Sequence, residues 1–129
     1  MSSNSAIQSS FVRNINQAVQ ALRQKNYLSA QDYIKHAMSE EPDAAEVHNL
    51  LGILSELTGD LSLAGKHFRA AYALDPSYKP ASRNLARITS MDFAMKKANP
   101  DYGDKPEKQE SSLYIVVYDD KNIGRLKKE

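Results

Sequence analysis

A chain of 129 residues, 41% of them hydrophobic, with a formal net charge of +1, has room for one small domain and no general attraction to nucleic acid or acidic membranes. The absence of cysteine excludes disulfides and thiolate zinc sites. No apolar stretch approaches the ~18 residues of a membrane-spanning helix, and residues 1–10 lack the features of a secretory signal, so we expect a cytoplasmic protein without membrane insertion.

Helical periodicity begins at Phe11, after a Ser/Asn-rich stretch, residues 1–10, that we expect to be flexible. Apolar residues recur at steps of three and four as far as Leu22, and the polar residues 24–26 end this first helix. A second run of the same period follows and stops before Pro42, because proline cannot continue a helix.

Capping residues mark the next two helices. Asp43 is expected to cap the third helix, with Glu46 completing a capping box, and this helix should end at Gly59. Asp60 is expected to cap the fourth helix, which should end near Pro76.

A fifth helix is predicted from Pro80, which stands where a first-turn proline belongs. Apolar residues at helical steps continue from Ala81 to Met95, so we place this helix within residues 79–97. The helical domain is therefore expected to span residues 11–97.

The composition changes after the fifth helix. Residues 98–112 contain prolines, a glycine and many charged residues, and we expect them to form a linker. Residues 113–118 carry a strong strand signal, which makes the C-terminal arm, residues 113–129, β-prone, as a short strand or a hairpin. The strand-pairing residues are Leu113, Tyr114, Ile115, Val116, Val117 and Tyr118.

A lone strand leaves its backbone groups unpaired, so this strand must find cover. It could pair with the same strand of a second molecule, add to a partner's sheet, or turn back on residues 123–126. It could also occupy a groove of its own chain as an inhibitory plug. We favour pairing between chains or with a partner.

The helical region contains an internal repeat. Equivalent residues lie 34 positions apart, and the pairs are Ala18 and Gly52, Ala30 and Ala64, Ile34 and Phe68, Ala37 and Ala71, and Pro42 and Pro76. A period of 34 with Leu-Gly, then Ala, Phe, Ala and Pro in this order resembles the tetratricopeptide repeat (TPR). His48 and Ser55 depart from that pattern, since they replace its usual tryptophan and tyrosine.

The resemblance implies an all-α fold, an α-solenoid of two TPR helix hairpins, residues 11–44 and 45–78, with residues 79–97 as a C-terminal capping helix. Small residues such as Gly52 and Ala64 would let paired helices approach closely, and Phe68 would fill the space beyond. The alternative is a generic helical bundle, in which the first and last helices would pack together.

TPR arrays are binding modules, in which the first helices of successive repeats line a concave groove for an extended or helical peptide. The groove residues that the resemblance implies are Val12, Ile15, Val19, Leu22, Glu46, Asn49, Ile53, Glu56, Arg83 and Arg87. Such a groove would suit an apolar peptide with an acidic group near one end. The alternative is that the apolar members belong to the core and that the arginines are solvated.

One family role does not fit. The clamp that holds acidic chaperone tails in some TPR proteins would fall here on Ile15, Val19, Leu50, Pro80 and Asn84, and of these Asn84 alone is polar. We therefore expect a different ligand.

No residue pattern indicates catalysis. The three histidines, His36, His48 and His67, lie on different helices without metal-ligand spacing, and no phosphate-binding glycine loop occurs. We expect no catalytic residue, no metal and no cofactor. The predicted function is a protein-interaction adaptor or scaffold that binds another protein or peptide. The alternative is a structural module that forms homo-oligomers through its C-terminal strand.

Overall fold

The structure is a computed structural model, and it describes residues 9–95 and 99–107. Within these ranges the chain forms five α-helices and a short 3-10 helix, and it contains no strand. The elements are α1 (Ser10–Arg23), α2 (Tyr27–Glu40), α3 (Ala45–Leu57), α4 (Leu61–Leu74), α5 (Lys79–Ile88) and the 3-10 helix Phe93–Met95. The predicted all-α class is confirmed for the described part of the chain.

Side chains cap three of the helices. Ser9 accepts a hydrogen bond from the backbone N–H of Val12 at 3.1 Å and so caps α1. Asn26 caps α2 in the same way, and Asp60 caps α4. Each of these bonds satisfies a backbone donor that a helix N-terminus leaves unpaired. The predicted cap at Asp60 is confirmed.

Helix α3 begins differently. Its N-cap is Ala44, which makes no side-chain hydrogen bond, so the predicted cap at Asp43 is wrong. The capping box with Glu46 fails too, because the position three residues after the N-cap is Val47, which cannot hydrogen-bond back. Glu46 lies in the first turn, where its charge interacts favourably with the helix dipole.

The α1–α2 and α3–α4 turns have the same backbone geometry. Lys25 and Gly59, 34 positions apart, both have positive φ, 63° and 97°. The residue after each donates its N–H to a carbonyl five residues back, from Asn26 to Ala21 and from Asp60 to Ser55, both at 2.8 Å. These are the hydrogen bonds of a Schellman motif, which ends a helix at a left-handed residue.

Small buried residues lie within each hairpin. Ala18 and Ala30 are fully buried where α1 and α2 pack, and Gly52 and Ala64 are buried where α3 and α4 pack. The ring of Phe68, itself fully buried, occupies the space that a Cβ on Gly52 would need. Close approach of the α4 aromatic ring to the α3 backbone therefore requires glycine at this position.

Helix α3 is central, because it contacts each of the other four helices. Helix α5 packs on α4 and more lightly on α3. The main core is contributed by α1 to α4, and its members are Ala18, Val19, Ala21, Leu22, Ala30, Ile34, Ala37, Val47, Leu50, Ile53, Ala64 and Phe68. A smaller cluster of Ala45, Ala71 and Ala81 joins α5 to the hairpin before it.

Helix α5 is shorter than predicted. It ends at Ile88, whereas the periodicity extended it within residues 79–97. The hydroxyls of Thr89 and Ser90 donate to the carbonyls of Leu85 and Arg87, at 2.8 and 2.9 Å, and so satisfy the last acceptors without a further turn. Met91, predicted as an apolar position of this helix, is fully exposed.

The largest difference between the sequence prediction and the structure concerns the predicted linker. Residues 99–107, here called the return segment, run back over α1, α3 and α5 and form hydrogen bonds or ion pairs with all three. Composition indicated a linker because proline and charged residues are common there, but the same residues form specific contacts when basic and amide side chains face them.

Other predictions lie largely outside the described residues. These are the flexible N-terminus, residues 1–10, of which Ser9 and Ser10 belong to the start of α1, and the strand, residues 113–118, with the arm around it. Among the helices of residues 9–95, none has the length and apolar character needed to cross a bilayer.

Candidate functional site

The residues predicted to line a groove fall into three groups. Val19, Leu22 and Ile53 are buried in the core, as the alternative interpretation of the apolar positions had it. Val12 is exposed, and Ile15 and Glu46 are half-buried. The other four, Asn49, Glu56, Arg83 and Arg87, come together where α3 and α5 meet the return segment.

At the centre of this site is a pair of fully buried asparagines, Asn49 on α3 and Asn84 on α5, here called the asparagine pair. The Nδ2 of Asn84 donates to Oδ1 of Asn49 at 2.8 Å. Both amides donate to the backbone carbonyl of Asp101, at 3.1 and 2.9 Å. The backbone N–H of Asp101 donates back to Oδ1 of Asn84 at 2.8 Å.

The asparagine pair therefore satisfies both backbone hydrogen-bonding groups of one residue in the return segment. Such a contact recognises the main chain and does not depend on which side chain the residue carries. It also requires that the N–H and C=O be free of partners within their own chain, as they are in an extended segment.

Arg83 supplies charge next to the asparagine pair. Its guanidinium donates to Asp101 at 3.1 Å and to both carboxylate oxygens of Glu107, at 2.7 and 3.1 Å. These hydrogen bonds hold the pKa of the Glu107 carboxyl below its usual range. The bidentate geometry suits an arginine and a carboxylate, although both side chains are nearly half exposed.

Arg23, the last residue of α1, binds the other side of the return segment. It donates to both carboxylate oxygens of Asp104, at 2.7 and 3.1 Å. Its guanidinium carbon lies 4.5 Å from the ring centroid of Tyr102, within the range of a cation–π interaction. Tyr102 in turn packs against the helical core, and burial raises the pKa of its hydroxyl.

An ion pair between Arg87 and Glu56 lies next to the asparagine pair and is hydrogen-bonded to it. Arg87 donates to both oxygens of Glu56, at 2.6 and 2.7 Å, and to Oδ1 of Asn84 at 3.1 Å. The side chain of Glu56 is 3% exposed and that of Arg87 is 22% exposed. Because Arg87 occupies one lone pair of Asn84, it fixes the orientation in which that amide faces Asp101.

Gly103 turns the return segment. Its φ is 78°, in the left-handed region that glycine favours, and its N–H donates to Oδ1 of Asp101 at 2.9 Å. The hydroxyl end of Tyr78 lies where a Cβ of residue 103 would stand, so a side chain there would collide. Burial raises the pKa of Tyr78 well above its usual value, so this phenol stays protonated.

An open cleft of about 810 Å³ runs along the same surface. Its lining combines the three arginines, Arg23, Arg83 and Arg87, with Asn84 and most of the return segment. The return segment therefore forms one wall of this cleft, and its acidic residues Asp101, Asp104 and Glu107 line it together with the arginines.

Sequence reasoning missed three features of this site: Arg23, the role of Asn84 as a ligand for a main chain, and the return segment itself. One signal was present. Acidic residues 101, 104 and 107 recur at steps of three, which differs from the irregular charge pattern of a solvated linker. The two asparagines are on the expected odd-numbered helices, but no local pattern shows that they touch.

The histidines offer no comparable site. His48 and His67 have ring centroids 6.3 Å apart, and burial together with the neighbouring His48 lowers the pKa of His67. No group of acidic and histidine side chains in residues 9–95 and 99–107 has the arrangement of a metal site.

A comparison of the chain with protein-family models, with curated proteins and with solved structures finds no match. The geometry of the site is therefore the basis for a functional assignment.

Proposed function

We propose that this protein is an interaction adaptor of the TPR type, a short α-solenoid whose odd-numbered helices bind an extended segment of a partner protein. The observation that carries the proposal is the asparagine pair, which binds the N–H and C=O of Asp101 in a buried setting. Buried amides of this kind cost stability unless they are satisfied, and here the main chain of the return segment satisfies them.

The repeat part of the proposal is supported by the two hairpins. Their turns carry the same pair of Schellman hydrogen bonds 34 positions apart. Each helix packs most extensively on its neighbours in the chain, as expected for stacked hairpins, and the most extensive contacts are those of α1 with α2 and of α3 with α4. Helices α1, α3 and α5, the first helices of successive units, are the ones that contact the return segment.

The binding part of the proposal is supported by charge. Arg23 and Arg83 flank the asparagine pair on α1 and α5 and present bidentate donors to carboxylates. A segment whose backbone N–H and C=O groups are unpaired and that carries acidic side chains can bind both the asparagine pair and the arginines. The predicted preference for an acidic group is therefore retained in the proposal, whereas the apolar end of the groove is reduced to Val12 and Ile15, since Val19 and Leu22 are buried.

An array of short synthetic peptides with varied acidic and apolar positions tests the proposal. It is probed with the labelled full chain, with Arg83→Glu and with the matched control Arg69→Glu. Arg69 is an exposed arginine on α4, away from the return segment, so its replacement makes the same change in net charge. We expect a set of peptides that the parent chain and Arg69→Glu retain and that Arg83→Glu loses. Equal retention by all three proteins would refute the assignment of this surface.

A further inference from the structure

We propose that the return segment is an intramolecular ligand, which occupies the site of a partner peptide and so defines the partner as an extended acidic segment that must displace it. This inference rests on the proposed function, and it adds the chemical class of the ligand and the competition for the site. Residues 101–107 supply the pattern: an acidic residue, an aromatic residue, glycine, a second acidic residue and, three residues later, a third.

The main-chain contacts are transferable. The asparagine pair binds the N–H and C=O of Asp101 and makes no contact that depends on its carboxylate. Any chain that passes this point in an extended conformation can therefore form the same three hydrogen bonds. A helical peptide cannot, because its own backbone groups are already paired.

The carboxylates add selectivity. Asp101 and Glu107 pair with Arg83, and Asp104 pairs with Arg23. Asp101 and Glu107, six residues apart, both reach Arg83, so the segment turns between them, at Gly103, after the extended main chain at Asp101. A ligand with acidic residues at intervals of three and a comparable turn presents them to Arg83, to Arg23 and again to Arg83. A ligand with basic residues at these positions would be repelled.

The middle of the pattern is set by shape. Tyr102 lies between Arg23 and the helical core, and Gly103 passes Tyr78 with no room for a side chain. A competing segment therefore needs a residue that stacks under the guanidinium, followed by one without a Cβ, to match the return segment in full.

The charged contacts of the return segment are weak enough to exchange. The side chains of Arg23 and Arg83 are 44% and 47% exposed, and ion pairs at such positions contribute little and are screened by salt. The return segment holds the site through its high local concentration, which is on the order of millimolar for a short tether. A partner with the same contacts and additional ones can replace it.

The experiment uses the full chain and a fluorescent peptide with the sequence of residues 99–107. In the released variant, Asp104→Lys with Glu107→Lys, two carboxylates of the return segment are replaced by cations that face Arg23 and Arg83. We expect the released variant to bind the peptide on the order of tenfold or more tighter than the parent chain, since the internal competitor is weakened. Addition of Asn84→Ala to the released variant should abolish this gain, and a peptide with neutral amides in place of its carboxylates should bind less tightly.

A second measurement needs no mutation. In the unmodified chain, excess peptide should displace the return segment, which would move the backbone amide resonances of Asp101 and Gly103 in an NMR titration. If the released variant gains no affinity and these resonances stay in place at excess peptide, the return segment is a structural strap and the inference is overturned. Peptides that bind the array in an Arg83-dependent manner would in that case still support the proposed function, so the two failures are distinguishable.

Discussion

Replacing Asn84 with alanine is expected to be the most damaging single change at the site. Its amide takes part in four hydrogen bonds: it donates to Asn49 and to the carbonyl of Asp101, and it accepts from the N–H of Asp101 and from Arg87. Two of these partners keep another bond after the change. The carbonyl of Asp101 is still bound by Asn49, and Arg87 still pairs with Glu56.

The other two partners are left unsatisfied, and they set the magnitude. The N–H of Asp101 and the Oδ1 of Asn49 would each lack the bond described, at a cost of about 1–3 kcal/mol apiece. Alanine is the better helix former by roughly 0.6 kcal/mol, which offsets part of this loss. The free energy of unfolding should therefore fall by about 3 kcal/mol, which for a domain of this size lowers Tm by roughly 10–25 °C.

Urea unfolding followed by circular dichroism measures this loss, with Asn14→Ala as the matched control. Asn14 is a half-buried asparagine on α1 whose side chain makes none of the hydrogen bonds found in the described residues, so its replacement should be neutral or slightly stabilising. Hydrogen exchange at the Asp101 amide should also accelerate in Asn84→Ala. If the two variants unfold at the same urea concentration and the Asp101 amide remains protected, the asparagine pair does not hold the return segment.

Three further predictions concern the helices below the site. Gly52→Ala should destabilise the protein by ~2 kcal/mol in urea unfolding, because the new Cβ meets the buried ring of Phe68. Gly65→Ala should not, because its Cβ meets only the flexible end of Arg69. Equal effects would contradict the close approach of Phe68 to the α3 backbone. Arg87→Met should lower the free energy of unfolding by about 3 kcal/mol, because it leaves the carboxylate of Glu56 buried and unpaired. Adding Glu56→Gln should recover part of this loss, and a double-mutant cycle in which the two effects simply add would exclude the coupling. Burial and the neighbouring His48 lower the pKa of His67 from its usual value, so its contribution to stability is present above the usual pKa and is lost as the pH falls through the folded value. His67→Gln should flatten this acid dependence of the free energy of unfolding, and an unchanged profile would refute it.

The helices could be predicted from the sequence because their determinants are local. Periodicity identified all five, and residues such as Asn26 and Asp60 mark turns through side-chain bonds to N–H groups three residues away. The prediction failed at the start of α3, where the N-cap is one residue after Asp43 and makes no side-chain hydrogen bond. It also failed at the end of α5, which stops at Ile88, well before residue 97, where Thr89 and Ser90 donate to backbone carbonyls of the last turn.

The site could be predicted only in part, because its contacts are not local. The resemblance placed Asn49, Glu56, Arg83 and Arg87 on one surface, and three of these form hydrogen bonds with one another or with Asn84. The bond between Arg23 and Asp104 joins residues 81 positions apart, a separation at which periodicity carries no information. Composition alone then made the return segment look like a linker.

The asparagine pair restricts the conformation of the ligand, which the arginines do not. Arginines at an exposed surface bind a carboxylate whether it is carried by a helix or by an extended chain. The asparagine pair instead needs a free N–H and a free C=O on one residue, and Asp101 presents both. A helical peptide offers such groups only at its ends, and it would leave the buried amides of Asn49 and Asn84 unsatisfied along its length, at a cost comparable to the loss expected for Asn84→Ala. Selection of an extended acidic segment over a helical one therefore follows from burial of the two amides, and the arginines then choose among extended segments.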